Sequence, residues 1–331
     1  MSPGTTSNLP AVARDLCPAN AIVEPEVVIN YEARWQQLKA LAVQAVPSEG
    51  SKRVYSMCLD HFARWYFSEP RAALSKTIAH QYRNALERQG YASATVSIHL
   101  AALRKLAEEA ADAGLLDPQT ASGICRVRGP RRLGRRLGNW LGADEAEALI
   151  LTPDTATTKG VRDRAILCVS IGCGLRRSET AALAFEHLQL RNGRWLLADV
   201  IGKHGRIRTV PVPLWVMEYL TAWLSRAGIT AGRVFRAVNK AGVVVGLSMT
   251  PQAVYEVART YGYRAGLNVK PHDLRRTFAK LAFSGGAPVE QIQYSLGHAS
   301  LTTTEVYLGL KQDLLQAPGD QIHLKLSSNG D

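Results

Sequence analysis

Cysteine is sparse in this chain of 331 residues: there are five, and no two form a CxxC pair. No Cys/His cluster has zinc-ligand spacing, so a structural zinc module is not expected. Cys17, Cys58, Cys125, Cys168 and Cys173 are odd in number, and most lie in apolar stretches. A disulfide framework is therefore not expected, and a reduced cytoplasm fits best. No run approaches the roughly 20 apolar residues of a membrane helix, which argues against a membrane protein. The N-terminus lacks a basic start followed by an apolar run, so no secretory leader is expected. A Walker sequence is missing too, and with it the usual cradle for ATP. Acidic residues are in deficit, 28 against 40 Lys and Arg, for a formal net charge of +12. Such an excess points to a polyanionic partner, with nucleic acid ahead of an acidic membrane surface.

What is present suffices for packed cores. Hydrophobic residues make up 46% of the chain, and its length suits two domains. Residues 1–24 are polar at first, contain Pro and Gly, and read as a flexible arm. Residues 25–122 read as a four-helix unit. A helix near 29–46 comes first. Val54, Cys58, His61, Phe62 and Trp65 then lie on one helical stripe, and residues 76–89 make a shorter helix. Val96, Leu100, Leu103, Ala107 and Ala110 form the next stripe, with Ser93 a candidate cap and Gly114 a stop. His61, His80 and His99 are expected to be packing or surface groups.

Residues 123–138 change character. Arg126, Arg128, Arg131, Arg132, Arg135 and Arg136 stand among Gly and Pro, a composition from which no core is expected. They read as an extended linker whose guanidiniums contact DNA, the alternative being a solvated spacer. Residues 139–331 are mixed. Helices are expected near 143–151, 160–171, 176–184, 213–226, 251–264, 273–284, 288–296 and 301–308. Trp215, Tyr219 and Trp223, four apart, read as core. Between 187 and 212 the period changes to that of strands, with a hairpin turn at Asn192-Gly193 and a second turn at Lys203-His204-Gly205. The fold class expected is mainly α with a small three-stranded antiparallel β-sheet.

Four short stretches in this half carry chemistry. Gly174-Leu175-Arg176-Arg177-Ser178-Glu179 opens a helix, with Arg176 and Glu179 three apart on one face. Pro271-His272-Asp273-Leu274-Arg275-Arg276-Thr277 opens another, again with His272 and Arg275 on one face. Leu296-Gly297-His298 ends a helix and leaves the histidine on a turn. Tyr307 follows nine residues later, on a short helix that Ser300 can cap. Each piece alone is weak; a lone arginine–glutamate pair at this spacing is usually a surface ion pair.

The ordered set resembles the tyrosine recombinase (phage integrase) family. That family carries an Arg in a G-L-R-x-S-E context, a Lys on a β-turn, H-x-L-R, L-G-H, and a Tyr nine residues after the last His. The matching positions are Arg176, Lys203, His272 with Arg275, His298 and Tyr307. The resemblance is close over the whole second half. It is looser over the helical first half, which looks like the family's core-binding (SAM-like) DNA-binding domain. Cys173, where Thr or another small residue is common, and Arg276, where His is frequent, depart from the pattern. Neither removes a catalytic function, though Arg276 bears on a phosphate contact. The resemblance implies site-specific cleavage and rejoining of double-stranded DNA through a 3′-phosphotyrosyl intermediate and a Holliday junction. It also implies four protomers on DNA, weakly associated or monomeric without it.

Physical chemistry agrees with these roles. Breaking a phosphodiester with a side chain needs an in-line nucleophile, cations for the charge growing on the non-bridging oxygens, and an acid for the leaving 5′-oxygen. A phenolate, of pKa about 10, is nucleophile enough and also a fair leaving group, as a reversible reaction requires. Arg176 and Arg275 can offer planar forks to phosphate, and His298 can donate to the same oxygens. Lys203 is the expected acid, and His272 a base or proton shuttle for Tyr307. Glu179 is expected to orient His272 or Arg176. No carboxylate pair is left for two-metal work, so neither metal nor nucleotide cofactor is expected. A relaxing enzyme of the type IB topoisomerase kind shares this logic, but the separate helical domain favours a recombinase. A DNA-binding module with a decayed site would lack the complete set. Beyond Tyr307, Ile322, Leu324 and Leu326 alternate with His323 and Lys325, the period of a half-buried strand. Such a strand is expected to add to the edge of the 187–212 sheet, of its own subunit or of a neighbour.

Overall fold

The computed structural model describes residues 26–131, 139–202 and 205–309. Two compact units divide the chain at residue 135. The first holds five helices: α1 (Glu26–Gln44), α2 (Glu49–Phe67), α3 (Lys76–Arg88), α4 (Ser93–Asp112) and α5 (Pro118–Cys125). Short polar side chains start three of them. Ser48 accepts from the Ser51 amide at 3.2 Å, Ser75 from Ile78 at 3.4 Å and Asp117 from Thr120 at 2.8 Å. Val96, Leu100, Leu103, Ala107 and Ala110 are all buried on α4. Ser93 is the first residue of that helix and not its cap; Ala92 holds the cap position without a side-chain bond.

The unit also has five helices where four were expected, Pro118–Cys125 being the addition, and two further features depart from the sequence expectation. On α2, Val54 is exposed, and Leu59 joins Cys58 and Phe62 in the core instead. The supposed linker also begins too early. Gly123–Cys125 complete the fifth helix, and Ile124 and Val127, each 1% exposed, are part of the core. Arg104 Nη2 donates to the Val127 carbonyl at 2.5 Å, and Arg83 Nη1 to that of Arg128 at 3.3 Å. The arginine count concealed two apolar anchors, spaced to reach one face of the unit.

The second unit runs through α6 (Ala143–Leu151), α7 (Thr158–Gly172), α8 (Arg177–Ala182), β1 (Leu188–Arg191), β2 (Arg194–Ile201), β3 (Ile207–Pro211) and α9 (Leu214–Ala227). It continues with β4 (Ala237–Val238), β5 (Val244–Val245), α10 (Pro251–Arg264), α11 (Pro271–Ser284), α12 (Val289–Leu296) and α13 (Leu301–Leu308). Helix α7 is the spine: Ala165 to Gly172 are all buried, and α9 and α11 pack on it. The sheet is antiparallel in the order β1-β2-β3, with Leu190 opposite Trp195 and Val200 opposite Arg208. Asn192 and Gly193 both take the left-handed backbone that a tight hairpin demands. The β4–β5 hairpin, two residues a side, was not foreseen. Of the aromatic trio on α9, Trp223 is fully buried and its indole donates to the Val234 carbonyl at 2.8 Å, but Trp215 is 40% exposed. A second, smaller core of Ala279, Ile292, Leu296 and Leu308 joins α11, α12 and α13, with Phe278 and Tyr307 packed against it.

Cys58, Cys168 and Cys173 are buried free thiols, with burial pushing Cys58 up to about 11 and the other two to about 12. Among the described residues no helix is long and apolar enough to cross a membrane. The expected N-terminal arm, Cys17, Arg132, Arg135, Arg136, Lys203, His204 and the alternating segment 322–326 lie outside the described residues.

Candidate active site

The site grows from a single buried carboxylate. Arg176 precedes the first turn of α8, and Glu179 closes that turn by accepting the Arg176 amide at 2.8 Å. Its other oxygen takes Arg176 Nη1 at 2.7 Å. From β3, Arg208 grips both oxygens, Nη1 at 3.0 Å and Nη2 at 2.8 Å, while its Nε donates to the Ser295 carbonyl at 2.7 Å. Burial opposes ionisation of Glu179, but the Arg208 and Arg176 bonds outweigh it and hold the carboxyl at about 2. Glu179 therefore orients Arg176, one of the two expected partners, and has no bond to His272. Arg208 was not singled out from sequence. Its only signal is a charge in an otherwise apolar strand, which is as often a solvated edge residue.

Arg275 lies on α11 and is 1% exposed. Its Nη1 donates to the Gly174 carbonyl at 2.6 Å and its Nη2 to that of Leu296, so it staples the start of the α8 segment to the end of α12. Each terminal nitrogen keeps a second N–H, and Nε has no hydrogen-bond partner among the described residues. Burial, with Arg176 nearby, lowers its pKa to about 9, still cationic at neutral pH. Gly297 ends α12 in the left-handed conformation, φ 62°. A Cβ there would stand 2.9 Å from Arg208 Cδ, so the turn that presents His298 is formed against Arg208.

His298 Nδ1 is 3.0 Å from the hydroxyl of buried Thr304, a contact that ties the turn to α13. Burial and the nearby Arg275 and Arg176 push the His298 imidazole down to about 4, and the same causes with Arg276 lower His272. Both rings are therefore neutral at pH 7. Tyr307, half-buried, stands edge-on between them, its ring centre 5.5 Å from His272 and 5.2 Å from His298. Its hydroxyl donates to the His272 carbonyl at 3.3 Å. Burial raises the phenol's pKa, with Arg275, Arg276 and Arg176 pulling the other way. Arg176, Arg177, Ser178, Lys270, His272 and Arg275 line an open cleft of about 360 Å³.

Arg176, Glu179, His272, Arg275, His298 and Tyr307, spread over 132 positions of sequence, are thus joined through shared partners. The turn meant to carry Lys203 begins at Gly202, whose amide donates to the Arg206 carbonyl at 2.7 Å. A Cβ on Gly202 would stand 3.3 Å from a Glu179 oxygen, so this turn starts beside the same carboxylate. Of the linker arginines described, Arg126, Arg128 and Arg131 are exposed. Among the described residues no group of three His, Cys, Asp or Glu is placed to hold a metal ion.

A mostly helical unit that brings two imidazoles against one tyrosine, with guanidiniums held beside them, defines a class of phosphoryl-transfer enzymes. The chain belongs to the phage integrase family, whose profile matches residues 139–313, and it is a tyrosine recombinase, an enzyme of site-specific DNA recombination. Tyrosine recombinase XerC of Pelotomaculum thermopropionicum is 31% identical over 259 residues, 75% of this chain and 82% of that protein. XerC of Pseudomonas entomophila is 32% identical over 252 residues, covering 73% and 79%. Among solved structures, XerH site-specific recombinase in a post-cleavage complex with palindromic difH superposes with a TM-score of 0.64 at 20% identity, over 91% of each chain. At that identity the likeness speaks for the fold.

Proposed function

We propose that Tyr307 is the nucleophile of this recombinase. Its oxygen attacks a phosphorus of duplex DNA, the P–O5′ bond breaks, and the 3′-phosphate is held as a phosphotyrosyl ester until a 5′-hydroxyl reverses the step. Arg176 and Arg275 neutralise the non-bridging oxygens, Arg275 through its unpartnered Nε and remaining N–H groups. His298 donates to the same oxygens. His272 accepts the phenolic proton, and Lys203 protonates the leaving oxygen. The guanidiniums supply the positive charge that a metal would bring, and the ester conserves the energy of the broken bond, so neither metal nor ATP is needed. The single observation that supports this reading most is one phenol flanked by two imidazoles beside the guanidiniums of Arg176 and buried Arg275. Strand exchange between two duplexes requires four cuts, hence four protomers. The segment 322–326 is suited to joining neighbours by adding a strand to an exposed sheet edge. Arg126, Arg128, Arg131, Arg132, Arg135 and Arg136 add phosphate contacts.

Covalent trapping tests the nucleophile. A suicide duplex carrying the junction sequence that the enzyme makes in cells should form an SDS-stable adduct with the wild type, with or without EDTA. Tyr307→Phe should bind the duplex and form none. An adduct with the Phe variant, or one that disappears on chelation, would overturn this mechanism.

A further inference from the structure

One cation beside Tyr307 has no part in the roles above. Arg276, next to Arg275 on α11, carries its guanidinium carbon 4.8 Å from the centre of the Tyr307 ring, a cation–π distance. The group is held from two other sides. Its Nη1 lies 3.5 Å from Asp273 and donates to the Asn139 carbonyl at 3.4 Å. Its Nε is buried without a hydrogen-bond partner among the described residues. The side chain is only 13% exposed, so the charge acts on the ring through little water. One helical turn on, Lys280 repeats the arrangement. Its ammonium donates to the Leu308 carbonyl at the end of the tyrosine's helix and sits 4.6 Å from the Trp140 ring centre. Both side chains thus bridge α13 to residues 139–140.

We propose that Arg276 is a positioning residue for the nucleophile: its guanidinium, anchored to Asp273 and to the Asn139 backbone, holds the Tyr307 ring and stabilises its ionised form. The inference rests on Tyr307 being the nucleophile. In that step the phenolic oxygen bonds to phosphorus as the 5′-oxygen leaves, its proton passing to an imidazole while the 5′-oxygen takes one from an acid. Negative charge gathers on the phenol before the new bond is complete, and a fixed cation against the ring is favourable at that moment. The other titratable groups that bear on the phenol are Arg176 from the α8 side, His298 from the α12–α13 turn, and His272, Asp273 and Arg275 on α11. Arg176 and Arg275 already have bonds to Glu179 and to backbone carbonyls and are reserved for phosphate. Arg276 faces the ring itself.

Full-length protein labelled with ¹³Cζ-tyrosine allows the phenol to be titrated directly by NMR without DNA. Tyr307→Phe identifies the signal. Arg276→Gln should raise the Tyr307 pKa by about one unit, and Arg276→His should do the same, its imidazole being neutral in that range. Arg276→Lys, which keeps the charge, should remain near the wild type. On the suicide duplex the Gln variant should form adduct about tenfold more slowly at neutral pH, and the loss should shrink as pH rises. An unmoved Tyr307 titration in folded Gln and His variants overturns the proposal. So does a rate defect that is the same at every pH. Both outcomes leave the nucleophile itself intact; that reading fails separately, if Tyr307→Phe still forms the adduct.

Discussion

Glu179 is the residue on which the site turns. It is 4% exposed and yet ionised, because Arg208 and Arg176 supply four hydrogen bonds to its two oxygens. Neutralising it in place leaves Arg208 buried with nothing to balance its charge, which costs on the order of 3 kcal/mol. Glu179→Gln should therefore destabilise the second unit by about that much in urea unfolding at pH 7. The pH dependence has a definite sign. The folded carboxyl titrates at about 2 against an ordinary 4.5, so its contribution is complete above pH 4.5 and fades as pH falls towards 2. The gap between wild type and Gln variant should narrow over that window. A gap constant from pH 6 to 2.5 would mean that the charge is not what Arg208 requires. The i,i+3 spacing of Arg176 and Glu179 was legible in the sequence. Arg208 was not, since nothing local distinguishes an inward from an outward arginine on a five-residue strand.

At the scale of elements, the first unit has its own polar knot. On α3, the Tyr82 hydroxyl lies 2.9 Å from His61 Nδ1 on α2 and 2.7 Å from His99 Nδ1 on α4, tying three helices at one point. Burial, with His61 nearby, lowers His99 from 6.5 to about 4. A histidine with a depressed pKa stabilises the fold above its unfolded value, and that stability is lost as pH falls through the window from 6.5 to 4. Amides of α3 and α4 in the full chain should exchange faster as pH drops through this range, after correction for intrinsic rates. His99→Gln should remove most of that acid sensitivity. If it leaves the pH profile untouched, His99 is not the titrating group. The sequence marked these histidines as packing or surface groups, and two of them pack as a hydrogen-bonded set. Their common partner Tyr82 lies 21 and 17 positions away, beyond any periodic signal.

Across the whole molecule the dominant quantity is charge. The chain carries +12, and six of its arginines fall within residues 126–136 of the sequence. If they contact phosphates, replacing Arg131, Arg132, Arg135 and Arg136 by Gln should weaken binding to every duplex alike. It should also flatten the dependence of log Kd on log salt by roughly one unit for each lost contact. A slope equal to the wild type's would make the segment a spacer. Fluorescence anisotropy over a salt series, with two unrelated duplexes, reads both the uniformity and the slope.

The sequence by itself determined most of the buried stripes, Val54 and Trp215 excepted, and which residue types bear chemistry. The four-and-three spacing of α4, the Asn192-Gly193 turn and eight helices of the second unit are local facts that local pattern records, and the ordered set from Arg176 to Tyr307 was legible through its resemblance to a family. Only the tertiary structure decided partners. Arg208 meets Glu179 across 29 positions, Arg276 meets Tyr307 across 31, and Ile124 and Val127 turn the start of an arginine-rich stretch into core. The physical reason is that a hydrophobic stripe says that a face must be covered without saying by what. A buried charge has its partner chosen by the packing of helices and strands distant in sequence, and that packing becomes definite only when the whole unit closes around it.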